Sequence, residues 1–255
     1  MPNITIITGA TASGKTSYSL NYAKQFEKAI IINADASAVY RDFPILTAQP
    51  EEKEGIEHFL FEICDIRQNF TVSKWLDMCE SILLANQFEN HHKIIVGGTC
   101  MYIFLLINGL IQSPEISFEA REEALKLYNT IGHDEFLNLV SKHDENTSKD
   151  RQRLINNYSL IIQTGKSFTE WQKEPKKMFL QKGEYELIKI NPSREQIYAN
   201  CNARFLEMLK KGAIDEVQKG MEFFGKDYDF KKVLCANEIK DYHASSYFEF
   251  YNRTF

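Results

Sequence analysis

Runs of β-branched residues alternate with stretches in which apolar side chains return every three or four positions. Ile4–Thr8, Ala29–Asn33, Phe59–Ile63, Lys93–Gly97 and Tyr185–Ile190 are short and apolar or alternating, and they predict strands. Helical patterns separate most of them. Tyr18, Tyr22 and Phe26 share one face of a helix predicted from Lys15 to about Gln25, which can lie on a sheet. Strand alternating with helix predicts an α/β fold with a largely parallel sheet flanked by helices. Ligands of such sheets bind beyond the carboxyl ends of the strands, where Gly9, Asp35 and Thr99 all fall.

The rhythm changes between Gln112 and Ser148. Two amphipathic stretches, about Phe118 to Asn129 and Asp134 to Lys142, follow Pro114 with no strand between them, and predict a small helical insertion. Leu154, Ile155, Tyr158, Ile161 and Ile162 then mark one face of a helix that Gly165 ends. A further helix starts near Pro192-Ser193, with Ile197, Cys201, Phe205 and Met208 along one side. The organisation expected is therefore a core over 1–111, an insertion over 112–148 and a second core segment over 149–255. The long apolar span Ile94–Ile111 is interrupted by Gly97-Gly98-Thr99 and Asn108, which predicts strand, turn and helix, with no membrane span.

A chain of 255 residues, 44% of them hydrophobic, can bury a full core. Five cysteines with no paired spacing, and six histidines with no complementary pattern, point to a reduced, cytoplasmic protein without structural zinc. The first strand begins almost at once, so no signal peptide is expected. A monomer is expected. The net charge of −5 speaks against a general nucleic-acid coat. Its distribution is uneven, however: from Lys149 to Lys182 eight basic residues face three acidic ones, enough to meet a phosphate backbone or simply to solvate a helix face.

The chemistry concentrates at Gly9-Ala10-Thr11-Ala12-Ser13-Gly14-Lys15-Thr16, a glycine, four residues, then Gly-Lys-Thr, set between a predicted strand and a predicted helix. In such a phosphate loop the glycines let successive backbone N–H groups point at one anion. Lys15 adds a mobile cation, and Thr16 offers a hydroxyl to Mg²⁺. Asp35, just past the second strand, suits either a general base or magnesium ligand, or a helix cap. Gly97-Gly98-Thr99 closes the fourth strand as a close-approach site or a plain turn. On residue type alone, Arg194 and Arg204 read as surface arginines, and Trp75 and Trp171 as packing residues.

Taken in order, several segments extend this picture: Gly9–Thr16, Asn33-Ala-Asp-Ala-Ser-Ala-Val-Tyr40, Thr47-Ala-Gln-Pro50, Gly97-Gly-Thr-Cys-Met-Tyr102, Asp150-Arg-Gln-Arg153, Thr164-Gly-Lys166 and Pro192-Ser-Arg194. The chain resembles the tRNA dimethylallyltransferases over nearly its whole length. The resemblance implies a P-loop NTPase-like fold and transfer of a prenyl group from dimethylallyl diphosphate to N6 of the adenosine 3′ of the anticodon. By that resemblance Gly9 to Thr16 bind the diphosphate, with Mg²⁺ at Thr16. Asp35, Thr99 and Arg194 are the catalytic set, and Arg151, Gln152, Arg153 and Lys166 meet the tRNA anticodon loop. The chain departs from the family pattern at Ala36, Ala38, Asn156 and Asn200, the last standing where an arginine is usual. A kinase of a small metabolite, or a relative that binds without catalysis, is the alternative that the phosphate loop allows.

Overall fold

The computed structural model describes residues 2–51 and 53–245, with the side chains of 243–245 excepted. They form two compact units, one of residues 2–108 with 179–245 and one of Gly109–Met178. In the first, β1 (Ile4–Gly9) leads to α1 (Lys15–Ala23), β2 (Ala29–Asn33), β3 (Glu57–Phe59), α2 (Val72–Leu83), β4 (His92–Gly97) and α3 (Cys100–Asn108). The second unit holds β5 (Leu110–Ile111), α4 (Phe118–Ile131), α5 (His133–Ser141), α6 (Arg151–Thr164), α7 (Phe168–Trp171) and β6 (Lys176–Lys177). The first then resumes with β7 (Tyr185–Ile190), α8 (Arg194–Lys210), α9 (Ala213–Phe224) and α10 (Ala236–Ser245).

Five strands pair in parallel in the order β3-β2-β4-β1-β7, the P-loop NTPase-like α/β architecture expected. Isoleucine and valine dominate the inner strands because both faces are covered. Ile7, Ile31, Ile94 and Val96 pack with Ala23 of α1 on one face. Strand alternation turns the equally buried Ile6, Ile30, Ile32 and Ile95 to the other. Trp75 of α2 is fully buried, stacks on Tyr102 of α3, and donates its indole N–H to the Asn33 carbonyl at 2.7 Å. It is a packing residue, as its type suggested.

The consequence for the site lies in the strand order. Because the connection from β1 to β2 passes over β4, the end of β1 sits between β4 and β7, with Thr8 beside Gly97 and Gly9 beside Ile190. The loop after β1 thus has the Gly97-Gly98-Thr99 turn as its neighbour. A second cluster, Val39, Tyr40, Phe43, Leu46, Cys64 and Ile66 with Ala213 and Val217 of α9, supports the segment after β2.

Two expectations need correction. Phe59–Ile63 is not a strand; β3 ends at Phe59 because Leu60 and Glu62 take positive φ (64° and 54°), which no extended strand accommodates. The insertion is also wider than 112–148. The apolar stripe of α6 packs Leu154 and Ile155 with Ala124 of α4 and with Phe136 and Val140 of α5, so 149–178 belong with the helical unit and not with the sheet. Residues 246–255 of the expected second core segment lie outside the described residues. Among the described residues no helix is long and apolar enough to cross a membrane.

Candidate active site

The turn out of β1 is shaped by two glycines. A β-carbon on Gly9 would sit 2.4 Å from the Ile190 carbonyl oxygen, and Gly14 has φ +89°, where side chains are strained. Gly14 is the N-cap of α1 and supplies no side-chain cap, so the first N–H groups of that helix keep their bonding capacity for a ligand. Lys15 Nζ donates to the carbonyls of Gly9 (3.0 Å) and Ala10 (2.6 Å). Burial pushes its pKa below the ordinary lysine value; Asp35 opposes that shift and Arg204 adds to it. Ser13 Oγ is buried with no hydrogen-bond partner.

Asp35 caps a turn and no helix. Its Oδ1 accepts from the backbone N–H of Ser37 (3.0 Å) and the Ser37 hydroxyl (2.7 Å), which closes the turn after β2. Asn33 locks that turn from the other side, its Oδ1 accepting the Asp35 N–H at 2.9 Å and its Nδ2 donating to the Asp35 and Leu60 carbonyls. The other carboxylate oxygen reaches inward. A β-carbon built on Gly98 would lie 3.6 Å from both Asp35 Oδ2 and Lys15 Nζ, so the missing side chain at 98 leaves open the space the two groups share. Gly97 is glycine for a stricter reason, since a β-carbon there would fall 2.1 Å from the Ala34 backbone. Thr99 Oγ1 accepts the Ala36 N–H at 2.8 Å, which holds the Asp35 turn against β4 and leaves the hydroxyl proton to donate.

These groups surround one cavity of about 550 Å³. The loop residues Thr11 to Thr16, with Asp35, Gly98 and Thr99, form its polar side, and Ile31, Ala38, Leu46, Phe61 and Val96 are among its apolar lining. His58 also lines it and bonds the Ile56 carbonyl through Nδ1 at 2.8 Å. That contact makes Nδ1 the protonated nitrogen, and burial lowers the ring's pKa. From α8 come Asn200, Ala203, Arg204 and Glu207.

Arg194 is not brought to the cavity. It is exposed at the start of α8, where its Nε and Nη2 donate to Tyr198 Oη at 3.1 and 2.8 Å. Ten residues of helix, about 15 Å of rise, separate it from Arg204, the α8 cation that does line the cavity. Residue type could not tell the two apart; the four-residue spacing of Asn200 and Arg204, which puts them on one helix face, was the available signal. Arg151, Gln152, Arg153 and Lys166 lie exposed in the helical unit and do not line the cavity. Arg151 sits 5.1 Å over the Tyr128 ring, Gln152 bonds Asn156, and Lys166 pairs with Glu174 at 2.6 Å. Trp171 is half-buried in the same unit, its Nε1 donating to Thr164 Oγ1 at 3.2 Å. Among the described residues no three His, Cys, Asp or Glu side chains converge as a metal cluster.

Comparison with known proteins bears on this geometry. The sequence matches the family described as IPP transferase over residues 38–250. It is 35% identical over 246 residues to the tRNA dimethylallyltransferase of Rickettsia bellii, spanning 94% of this chain and 78% of that one. Against the enzyme of the same name from Caulobacter sp. it is 36% identical over 222 residues, 84% and 71% of the two chains. The tRNA isopentenylpyrophosphate transferase structure from Staphylococcus epidermidis superposes with a TM-score of 0.62 at 25% identity, covering 99% of this chain and 83% of that one. A eukaryotic dimethylallyltransferase that acts on tRNA shares the fold, with a TM-score of 0.77 at 20% identity over 95% and 66% of the two chains. A phosphate loop, an inward carboxylate and a match over most of the length thus agree, and the chain belongs to the IPP transferase family.

Proposed function

We propose that this chain is a tRNA dimethylallyltransferase, moving the dimethylallyl group of dimethylallyl diphosphate to N6 of the adenosine 3′-adjacent to the anticodon. The observation that carries the reading is the convergence of Asp35 Oδ2 and Lys15 Nζ on the side-chain-free position of Gly98, in a cavity of the size that encloses a small ligand. A diphosphate seated on the loop meets the free N–H groups at the start of α1, the Lys15 ammonium and the Arg204 guanidinium. Its prenyl group then faces the space beside Asp35.

In the reaction N6 of adenine bonds to the allylic carbon as that carbon's bond to the diphosphate oxygen breaks, and the electron pair leaves with the diphosphate. Lys15 and Arg204 neutralise the charge growing on the departing group, in an enclosed site where fixed charges act strongly. The N6 proton passes to Asp35 Oδ2, whose partner oxygen is held by Ser37, so the base is oriented before the substrate arrives. Thr99 supports that turn and can donate its hydroxyl proton to a phosphate or the base. The exocyclic amine is a weak nucleophile, so most of the acceleration comes from positioning and leaving-group stabilisation. Adenine reaches the cavity only when turned out of the anticodon loop stack.

Mg²⁺ fits this donor set. The polar group of the loop that suits a divalent ion is a hard oxygen, the Thr16 hydroxyl. Thr16 would hold it, and the ion would add positive charge against the diphosphate. In the helical unit, Arg151 and Arg153 stand in the first turn of α6, where the helix dipole also favours an anion. With Gln152 and Lys166 they are the proposed contacts for the tRNA backbone in this cytoplasmic reaction.

The test is product analysis. Incubation with dimethylallyl diphosphate, Mg²⁺ and unmodified tRNA, then digestion and mass measurement, should reveal prenylated adenosine with the wild-type chain and none with Asp35→Ala, which should still bind the diphosphate. Undiminished product from Asp35→Ala would refute the mechanism, and thermal stabilisation by ATP but not by dimethylallyl diphosphate would refute the substrate.

A further inference from the structure

Two successive carbonyls of the phosphate loop face α8. Cys201 Sγ lies 4.0 Å from the Thr11 oxygen, and Asn200 Nδ2 donates to the Ala12 oxygen at 2.9 Å. The amide is oriented from behind, because Asn200 Oδ1 accepts Gln196 Nε2 at 2.8 Å, one turn earlier on the same helix. Ala12 has φ +57°, a left-handed conformation that a residue with a side chain rarely adopts unless its surroundings impose it. The loop therefore has a strained residue in its middle, and a neutral side chain from a distant helix holds that residue's carbonyl.

We propose that Asn200 is a positioning residue that latches the phosphate loop in its anion-binding shape through the Ala12 carbonyl, with Gln196 fixing the amide. A carbonyl oxygen free to swing toward a diphosphate repels it; one engaged by an amide N–H is held aside. The residues after Ser13, whose own N–H bonds the Ala10 carbonyl at 3.2 Å, then keep their N–H groups directed at the ligand. The latch also divides labour along α8. Asn200 shapes the loop without adding charge, and Arg204, one turn on, supplies the charge. This inference rests on the reading of the loop as a diphosphate cradle.

Inorganic pyrophosphate with Mg²⁺, titrated calorimetrically, separates the two claims. Failure of the wild-type chain to bind it would remove the cradle reading itself. With the wild type binding, Asn200→Ala should weaken pyrophosphate about tenfold, the loss of one hydrogen bond that the charged ligand depends on. Asn200→Asp, which keeps the shape but cannot donate and adds a negative charge, should weaken it more, by about 30- to 100-fold. Gln196→Ala, which leaves Asn200 in place but unoriented, should cost only about two- to threefold. The KM for tRNA and the melting temperature of the ligand-free protein should stay at wild-type values in all three. Pyrophosphate affinity within twofold of wild type in both Asn200 variants would overturn the latch, as would a rise confined to the KM for tRNA. If Asn200→Ala lowers the melting temperature, Gln196→Ala decides: wild-type affinity there overturns the proposal.

Discussion

The start of α1 in the sheet unit differs from the capped helix starts of the helical unit, and the difference separates stability from function. In the helical unit, α4, α6 and α7 each begin at a residue whose side chain accepts a backbone N–H, namely Ser117, Asp150 and Ser167, the last in a reciprocal capping box with Glu170, while α5 begins at Gly132 without one. In the sheet unit Thr71 and Ser193 cap α2 and α8 in the same way, whereas α1, like α9, begins at a left-handed glycine with no side-chain cap. A capped helix satisfies its own orphan donors; an uncapped one, behind a loop that would clash with any side chain at Gly9, keeps them for an anion. The capped starts are finished by folding, and the start of α1 by its ligand.

Substitutions that hit only one of the two regions break this contrast most clearly. Lys15→Ala should lower kcat/KM about 10²- to 10³-fold, the scale of losing one preorganised charge-stabilising group, while ligand-free stability stays the same or rises because a half-buried ammonium is removed. Steady-state kinetics beside a melting curve check both halves, and parallel losses of activity and stability would contradict the contrast. Phe136→Ala should do the reverse. Its ring is fully buried in the helical core against Tyr128 and Tyr158, so truncation costs about 3–5 kcal/mol there. Pyrophosphate binding to the sheet unit should persist, as calorimetry on the variant would reveal.

Legibility in the sequence follows the same division. β2 and β7 begin and end where their apolar runs do, and the phosphate loop, the Asp35 turn and Gly97-Gly98-Thr99 were visible because glycine and short polar residues there answer a local backbone demand. What was not visible depends on what packs against what. The stripe on α6 announces a buried face, but periodicity carries no information about the partner, and α6 turned out to face α4 and α5. Arg194 and Arg204 are equally plausible cations until α8 is laid across the loop. β3 failed for a third reason: Leu60 and Glu62 adopt left-handed conformations that neither residue type advertises.

Glu216 of α9, within the sheet unit, combines the two roles, a side chain that builds part of the cradle's wall. Its carboxylate accepts the N–H groups of Ile45 (2.8 Å) and Leu46 (3.0 Å), and Leu46 lines the cavity. Glu216→Ala orphans two donors and should cost about 2 kcal/mol in urea unfolding, together with a rise in the KM for dimethylallyl diphosphate. A pH signature goes with it. Burial raises this carboxyl above its ordinary 4.5, the backbone donors opposing. A group with a raised folded value contributes stability that is full below 4.5 and is lost as the pH climbs through that folded value. The wild type should therefore lose stability across that window relative to Glu216→Gln, and a flat difference between the two would contradict it.

The smallest effect tests the helical unit's surface. Lys166 makes a 2.6 Å ion pair with Glu174 and lies 5.1 Å over the Trp171 ring, both groups of the pair being substantially exposed. Exposed pairs of this kind contribute about 0–1 kcal/mol, so Lys166→Ala should leave the melting temperature nearly unchanged. RNA binding reads the residue differently. If its ammonium meets a phosphate it must leave Glu174 or share itself, so the affinity lost is modest. One fewer counterion is released, and the slope of log K against log salt should fall by about 0.7–0.9. Glu174→Gln removes the competitor and should strengthen tRNA binding at low salt by a factor of a few. An unchanged salt slope in Lys166→Ala, together with unchanged affinity in Glu174→Gln, would mean that this end of α6 only solvates the helical unit, and that Arg151 and Arg153 at the other end carry the RNA alone.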